Sequence, residues 1–114
     1  MIYKIRVILD AEEDIFRDIA IESQNSLEDL HNTITQAFGF LGNEMASFYT
    51  CDERWNQDEE IALFDMGEGD SAIRFMKETI IEDLLTEDTP KLIYVYDFLS
   101  MWTFFVELAD VEEI

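Results

Sequence analysis

The stretch NSLEDLHNTITQAFGF, residues 25–40, decides the fold because it predicts one amphipathic helix with both ends marked. Ser26 is a helix-capping residue, and Asp29 three positions later completes a capping box. Gly39 suits the left-handed residue that ends a helix. The side chains at helical spacing on the inner face are Leu27, Leu30, His31, Ile34, Ala37 and Phe38. We therefore expect a helix over about residues 26–38 that lies on a β-sheet.

Two extended segments precede this helix and predict a β-hairpin. Residues 2–9 alternate between apolar and polar side chains, which is the period of a half-buried strand. An acidic cluster at residues 10–14 interrupts them before a second extended segment, residues 15–22. Because Phe16 breaks the alternation next to Arg17, we expect a bulge in this second strand.

Four more strands and a second, short helix are predicted downstream. The strands are residues 45–51, 61–65, 91–97 and 102–108, and the helix is about residues 80–86, capped by Thr79 and Glu82. The acidic residues 52–60 and the glycine-bearing residues 66–70 are expected to form loops. This order predicts an α+β fold, with one compact domain over residues 1–114 and both helices on one face of a largely antiparallel sheet. A hairpin followed by a crossing helix also begins a ubiquitin-like β-grasp, which stays an alternative topology.

Charge restricts the classes of partner. The 114 residues carry 27 Asp and Glu against 7 Lys and Arg, a formal net charge of −20. Such a chain should repel the phosphates of nucleic acids and the headgroups of anionic membranes, so neither is expected as a direct partner. No apolar run approaches the ~18 residues of a membrane span. Lys4 and Arg6 interrupt the first apolar segment, so we expect a cytoplasmic location.

Residues able to support catalysis are few. His31 is the only imidazole, and its place on the apolar side of the predicted helix favours a core histidine bonded to a backbone carbonyl. Cys51 is the only cysteine, and the neighbouring Asp52 and Glu53 should raise the pKa of its thiol. Residues 65–76 have the length of a calcium-binding EF-hand loop but lack its ligand pattern. We therefore expect no catalytic residue, no metal site and no cofactor.

The stretch YVYDFLSMW, residues 94–102, contains the candidate binding residues. Asp97 is expected to fix the turn between the last two strands, and a pairing with Arg17 is a further hypothesis. Leu99 and Met101 should be exposed in that turn, and exposed apolar side chains often mark a contact surface. The full candidate set is Arg17, His31, Tyr96, Asp97, Phe98, Leu99, Met101 and Trp102.

Three segments, in this order, resemble the plasmid pRiA4b ORF-3-like family. IFRDIAI, residues 15–21, is similar to the family's Trp-Arg strand, and LHNTITQAFGF, residues 30–40, to its Leu-His helix ending in Gly-Trp. YVYDFLSMW is similar to its Tyr-Asp-Phe-Gly-Asp-x-Trp hairpin. The resemblance implies a compact α+β fold in a family of bacterial proteins without an established activity. Members are often labelled transposon-passenger or resolvase-like proteins.

Departures from the family pattern bear on function. Leu99 and Ser100 stand where the family has Gly-Asp, and Phe104 stands where a His usually follows the Trp. Phe16 and Phe40 each replace a family Trp. The resemblance implies that any cluster of Asp and His used by the family for chemistry or metal binding is half lost in this chain.

Three functional hypotheses follow. The first is a non-catalytic interaction or scaffold domain that contacts a protein partner or a second copy of the chain through the C-terminal aromatic hairpin. The second is an acidic mimic of nucleic acid, or an adaptor for a basic protein partner. The third is an enzyme or metal-binding protein that uses Asp97 and His31.

Overall fold

The structure is a computed structural model that describes residues 1–13, 15–63 and 74–113. Within these residues, seven β-strands, two α-helices and one 3-10 turn follow one another. They are β1 (Ile2–Leu9), β2 (Ile15–Glu22), α1 (Leu27–Phe38), β3 (Ala46–Cys51), β4 (Gln57–Ala62), β5 (Arg74–Phe75), the 3-10 turn (Met76–Glu78), α2 (Ile81–Leu84), β6 (Lys91–Tyr96) and β7 (Trp102–Glu112).

All seven strands join one sheet in the order β2-β1-β7-β6-β3-β4-β5. Every neighbouring pair is antiparallel except β4 and β5. Both predicted hairpins are present, and β1 pairs with β7, so the first and last hairpins lie side by side. The predicted α+β fold with a largely antiparallel sheet is therefore confirmed. The chain begins with the hairpin and crossing helix that suggested a β-grasp.

Helix α1 begins and ends at the predicted residues. The Ser26 hydroxyl accepts a hydrogen bond from the Asp29 N–H while the Asp29 side chain accepts one from the Ser26 N–H, which completes the capping box. Gly39 ends the helix with φ 79°. The buried side of α1 consists of Leu27, Leu30, His31, Ile34 and Thr35.

The core lies between α1 and one face of the sheet. Strands β1, β6 and β7 contribute alternate residues to it, as the period of two predicts. These are Tyr3, Ile5, Val7 and Leu9 from β1, Leu92, Tyr94 and Tyr96 from β6, and Phe104, Val106 and Leu108 from β7. Ile81 of α2 belongs to the same core, so both helices cover one face.

The bounds of β4 correct the sequence prediction of a loop over residues 52–60 and a strand over 61–65. The Asp52 carboxylate accepts hydrogen bonds from the backbone N–H groups of Arg54 and Asn56, which closes a short turn. The acidic residues that follow therefore pair with β3 as part of β4. Residues 64–73, which include the end of the predicted strand, the predicted linker 66–70 and most of the rejected calcium loop, lie outside the described residues.

Two finer predictions were also wrong. The register of β1 with β2 runs without a break, so the bulge expected near Phe16 and Arg17 is absent, and the irregularity lies between Lys4 and Ile5 on the side of β7. Helix α2 has no side-chain cap because its N-cap residue is the apolar Ile80, and the Thr79 hydroxyl donates to the Phe75 carbonyl instead.

In the described parts of the chain, no helix combines the length and the apolar character needed to cross a membrane.

Candidate functional site

Two connections meet at one end of the sheet, the α1–β3 connection and the β6–β7 turn. We call residues 39–45 and 97–102 the hairpin end. The Asp97 N–H donates to the Met45 carbonyl oxygen at 2.8 Å, and the Gly42 N–H donates to the Tyr96 hydroxyl at 3.0 Å. Gly39 and Gly42 both have positive φ, which lets the connection reverse direction after the helix and fold back onto β6.

Asp97 organises the turn. Its φ of 61° is left-handed, a conformation that Asp tolerates better than most residues. Its carbonyl oxygen accepts hydrogen bonds from the N–H groups of Ser100 and Met101, and its carboxylate accepts one from the Leu99 N–H at 3.2 Å. The Asp97 side chain thus bonds to the backbone of its own turn.

Arg17 is engaged elsewhere. Its guanidinium donates to the Phe16 carbonyl oxygen at 2.8 Å and lies 5.4 Å from the centre of the Phe38 ring. Among the described residues it forms no salt bridge, so the hypothesis that it pairs with Asp97 is wrong.

His31 lies on the buried side of α1 with 1% of its surface exposed, which confirms its prediction as a core residue. Its Nδ1 shares a hydrogen bond with the Tyr94 hydroxyl, so the expected backbone carbonyl partner was wrong. Burial lowers the pKa of His31 below its ordinary value and raises the pKa of the Tyr94 phenol. Both side chains are therefore neutral near pH 7 and serve as a satisfied polar pair inside the core.

Large apolar side chains project into solvent from the hairpin end. Leu99 is 97% exposed and Met101 is 56% exposed, as the sequence predicted for both, and Trp102 is 41% exposed. Leu41, in the facing connection, is 88% exposed. The sequence prediction missed Leu41. The stretch GFLG, residues 39–42, was a detectable signal, because it places two apolar residues between two glycines just after the helix.

Phe40 packs against Tyr96 and Trp102, and the sequence prediction also missed it as a site residue. Its ring centre lies 4.9 Å from that of Tyr96 and 5.5 Å from that of Trp102. Phe104 supports Phe40 in turn, at 6.0 Å and nearly perpendicular. Trp102 is therefore anchored on packed aromatic side chains of the core.

The opposite end of the sheet has a different character. We call residues 51–55 and 87–91 the groove end. A groove of about 830 Å³ is lined there by Cys51, Asp52, Glu53, Arg54, Glu87, Asp88, Thr89, Pro90 and Lys91. Burial, followed by the charge of Asp52, raises the pKa of the Cys51 thiol, as predicted, so the thiol is a poor nucleophile.

Charged side chains at the groove end are held by neighbours. The Lys91 ammonium donates to the Glu53 carbonyl oxygen at 3.0 Å and lies 4.8 Å from the centre of the Trp55 ring. Across residues 1–13, 15–63 and 74–113, no group of three His, Cys, Asp or Glu is arranged to hold a metal ion. Among the large apolar side chains of the described residues, the two most exposed, Leu99 and Leu41, both lie at the hairpin end.

Comparison with known proteins identifies relatives of unknown function. The profile of the family described as "Plasmid pRiA4b ORF-3-like protein" matches residues 1–114. No curated protein matches the chain. The fold is similar to the crystal structure of a protein of unknown function, MM3350, from Methanosarcina mazei Go1, with a TM-score of 0.82 and 19% identity. That match covers 98% of this chain and 65% of the other, so the chain spans less than two thirds of that relative.

Proposed function

This chain belongs to the plasmid pRiA4b ORF-3-like family, and on that premise we propose that it is a non-catalytic interaction domain whose contact surface is the hairpin end. The observation that carries the proposal is Met101. This residue has a left-handed φ of 55°, yet its side chain is mostly exposed. A residue with a Cβ pays roughly 1–2 kcal/mol for that conformation, and glycine would adopt it without strain.

Leu99 supports the same conclusion from its exposure. A side chain that is 97% exposed gains almost nothing from burial, so folding does not explain an aliphatic residue at this position. Leu41 and Trp102 add exposed apolar side chains from the same two connections, which are joined by the hydrogen bonds from Asp97 to Met45 and from Gly42 to Tyr96. Large exposed apolar side chains brought to one end of a fold in this way mark contact sites in proteins.

The hairpin end is also rigidly supported, which favours binding. The hydrogen bonds of Asp97 hold the β6–β7 turn, and the hydrogen bond from Gly42 to Tyr96 holds the facing connection. The Phe40 ring packs against Tyr96 and Trp102. A surface fixed before binding loses less conformational entropy when the partner arrives.

The enzyme hypothesis gains little from the geometry. Asp97 is bonded to its own turn, and His31 is buried against Tyr94, so neither side chain is presented to a shared substrate. The nucleic-acid mimic would need carboxylates in one stripe. The described acidic clusters instead lie at several separate places, which are the β1–β2 connection, the groove end, strand β4 and the end of β7.

Site-specific photo-crosslinking in the cells that produce the protein tests the proposal. A benzophenone amino acid would replace Leu41 or Leu99 in one set of variants, and the exposed residues Glu53 or Glu87 of the groove end in the control set. We expect discrete protein adducts from positions 41 and 99 and none from the controls. Adducts of equal yield from both ends, or none from positions 41 and 99, would rule out the hairpin end as the contact surface.

A further inference from the structure

We infer that the hairpin end binds a positively charged protein segment that carries apolar anchor side chains, and that a second copy of this chain is not its partner. This inference rests on the proposed function and names the partner's chemistry. It follows from the charge that borders the apolar surface.

The β1–β2 connection borders the hairpin end. The Asp10 N–H donates to the Thr103 carbonyl oxygen at 2.9 Å, which places this connection directly beside the start of β7. Asp10, Glu12 and Glu13 are all exposed there. The acidic connection therefore lies next to Trp102 at the edge of the apolar surface.

The other two connections add acidic residues and no basic ones. Glu44 is exposed in the α1–β3 connection, and Asp97 lies in the β6–β7 turn. Residues 10–13, 39–45 and 97–103 contain no Lys or Arg. Arg17, the basic residue in the adjoining part of β2, is directed to its own backbone and to the Phe38 ring. The three connections thus give the apolar surface an acidic border, and Arg17 of β2 is the basic residue nearest to it.

A second copy of the chain would fit this border poorly. A two-fold symmetric contact through the hairpin end places the same surface on both sides, so carboxylates would face carboxylates. Like charges brought together across an interface suppress association, and each copy already carries a net charge of −20. A partner with Lys or Arg around an apolar centre would meet both parts of the surface with complementary chemistry.

Two synthetic amphipathic peptides test the inference against the full chain. Both carry the same Leu and Phe face, and their polar face carries either Lys or Glu. Affinity would be measured by fluorescence anisotropy across a range of salt concentrations. We expect the Lys peptide to bind and the Glu peptide not to bind, with the affinity of the Lys peptide falling as salt is added.

Three variants locate the binding. Leu99→Ser with Met101→Ser should weaken the Lys peptide about tenfold or more, since it removes the apolar contacts. Neutralising the border (Asp10→Asn, Glu12→Gln, Glu13→Gln) should lower affinity and flatten its salt dependence. The matched control neutralises three exposed carboxylates at the groove end (Glu53→Gln, Glu87→Gln, Asp88→Asn) and should leave affinity within about twofold.

The outcomes separate this inference from the proposed function. Equal weakening by the two neutralised variants, binding of the Glu peptide, or no binding of the Lys peptide overturns the inference. Sedimentation of the unmodified chain as a dimer that the Leu99 and Met101 changes dissociate also overturns it, while the hairpin end stays a contact surface. Absence of crosslinks from positions 41 and 99 in cells removes the proposed function itself.

Discussion

The groove end and the hairpin end each contain a large apolar residue in the left-handed conformation, and only one of the two is packed. Trp55, with φ 67°, packs against Phe105 with ring centres 4.8 Å apart and the rings tilted by 59°, and it lies under the Lys91 ammonium. Met101, with φ 55°, is more than half exposed. The same backbone strain thus accompanies two different side-chain environments.

The comparison of Trp55 with Met101 distinguishes a strained residue whose conformation is explained by its packing in the fold from one whose conformation is not. At the groove end, the contacts of the Trp55 ring offset the cost of its backbone conformation. At the hairpin end, Leu99 is 97% exposed and Met101 is 56% exposed, so burial offsets less of the cost there. Strain that local packing does not offset is typical of functional sites, which is why the hairpin end is the stronger candidate.

Removing the support beneath the hairpin end should give the largest effect on stability. Phe104 is fully buried against Phe38, Phe40 and Tyr94, so Phe104→Ala should lower the free energy of unfolding by about 3–5 kcal/mol. Urea denaturation followed by tryptophan fluorescence would measure it. Leu99→Ala is the control and should change stability by less than about 0.5 kcal/mol. Similar losses in both variants would contradict the distinction between a packed support and an unpacked surface.

A matched pair of alanine substitutions compares the two strained residues directly. Trp55→Ala removes the ring contact with Phe105 and the contact with Lys91, and should cost about 1–2 kcal/mol of stability. Met101→Ala keeps the same backbone strain and removes few contacts, so its effect should lie within about 0.5 kcal/mol. Thermal and urea unfolding of the two variants would measure the difference. Equal losses would mean that Met101 is packed as well as Trp55.

The sequence predicts elements whose signals are local and misses features that depend on distant contacts. Helix α1 was predicted because Ser26 and Gly39 mark its ends, and the terminal hairpins were predicted from alternation. Strand β4 was misplaced because its acidic residues show no strand pattern and are extended only through pairing with β3. Likewise, Leu99 was identified from its turn, whereas Leu41 joins the surface only because its connection folds back onto Tyr96.

The pH dependence of stability should report on His31, which lies below the hairpin end. Burial lowers its pKa in the folded state, so between about pH 6.5 and that lowered pKa the unfolded chain binds a proton that the folded chain does not. The stability contributed by neutral, buried His31 is therefore complete above about pH 6.5, and it decreases as the pH falls below 6.5 towards the pKa of the folded state. His31→Gln cannot titrate there and should show a flatter profile. Identical slopes for the two proteins in urea unfolding at a series of pH values would contradict a buried, neutral His31.

Replacing Met101 by glycine tests its backbone strain directly. Met101→Gly removes the left-handed strain. Because the Met101 side chain is more than half exposed, its removal takes away little buried surface, so the free energy of unfolding should rise by up to about 1 kcal/mol. The greater flexibility of an unfolded chain with glycine opposes part of this gain. If the hairpin end is a contact surface, the same variant should form fewer crosslinks from position 99 even though it is at least as stable. A loss of stability above about 1 kcal/mol would instead show that Met101 serves folding, because a strained residue is kept in a protein either for its packing or for what it binds.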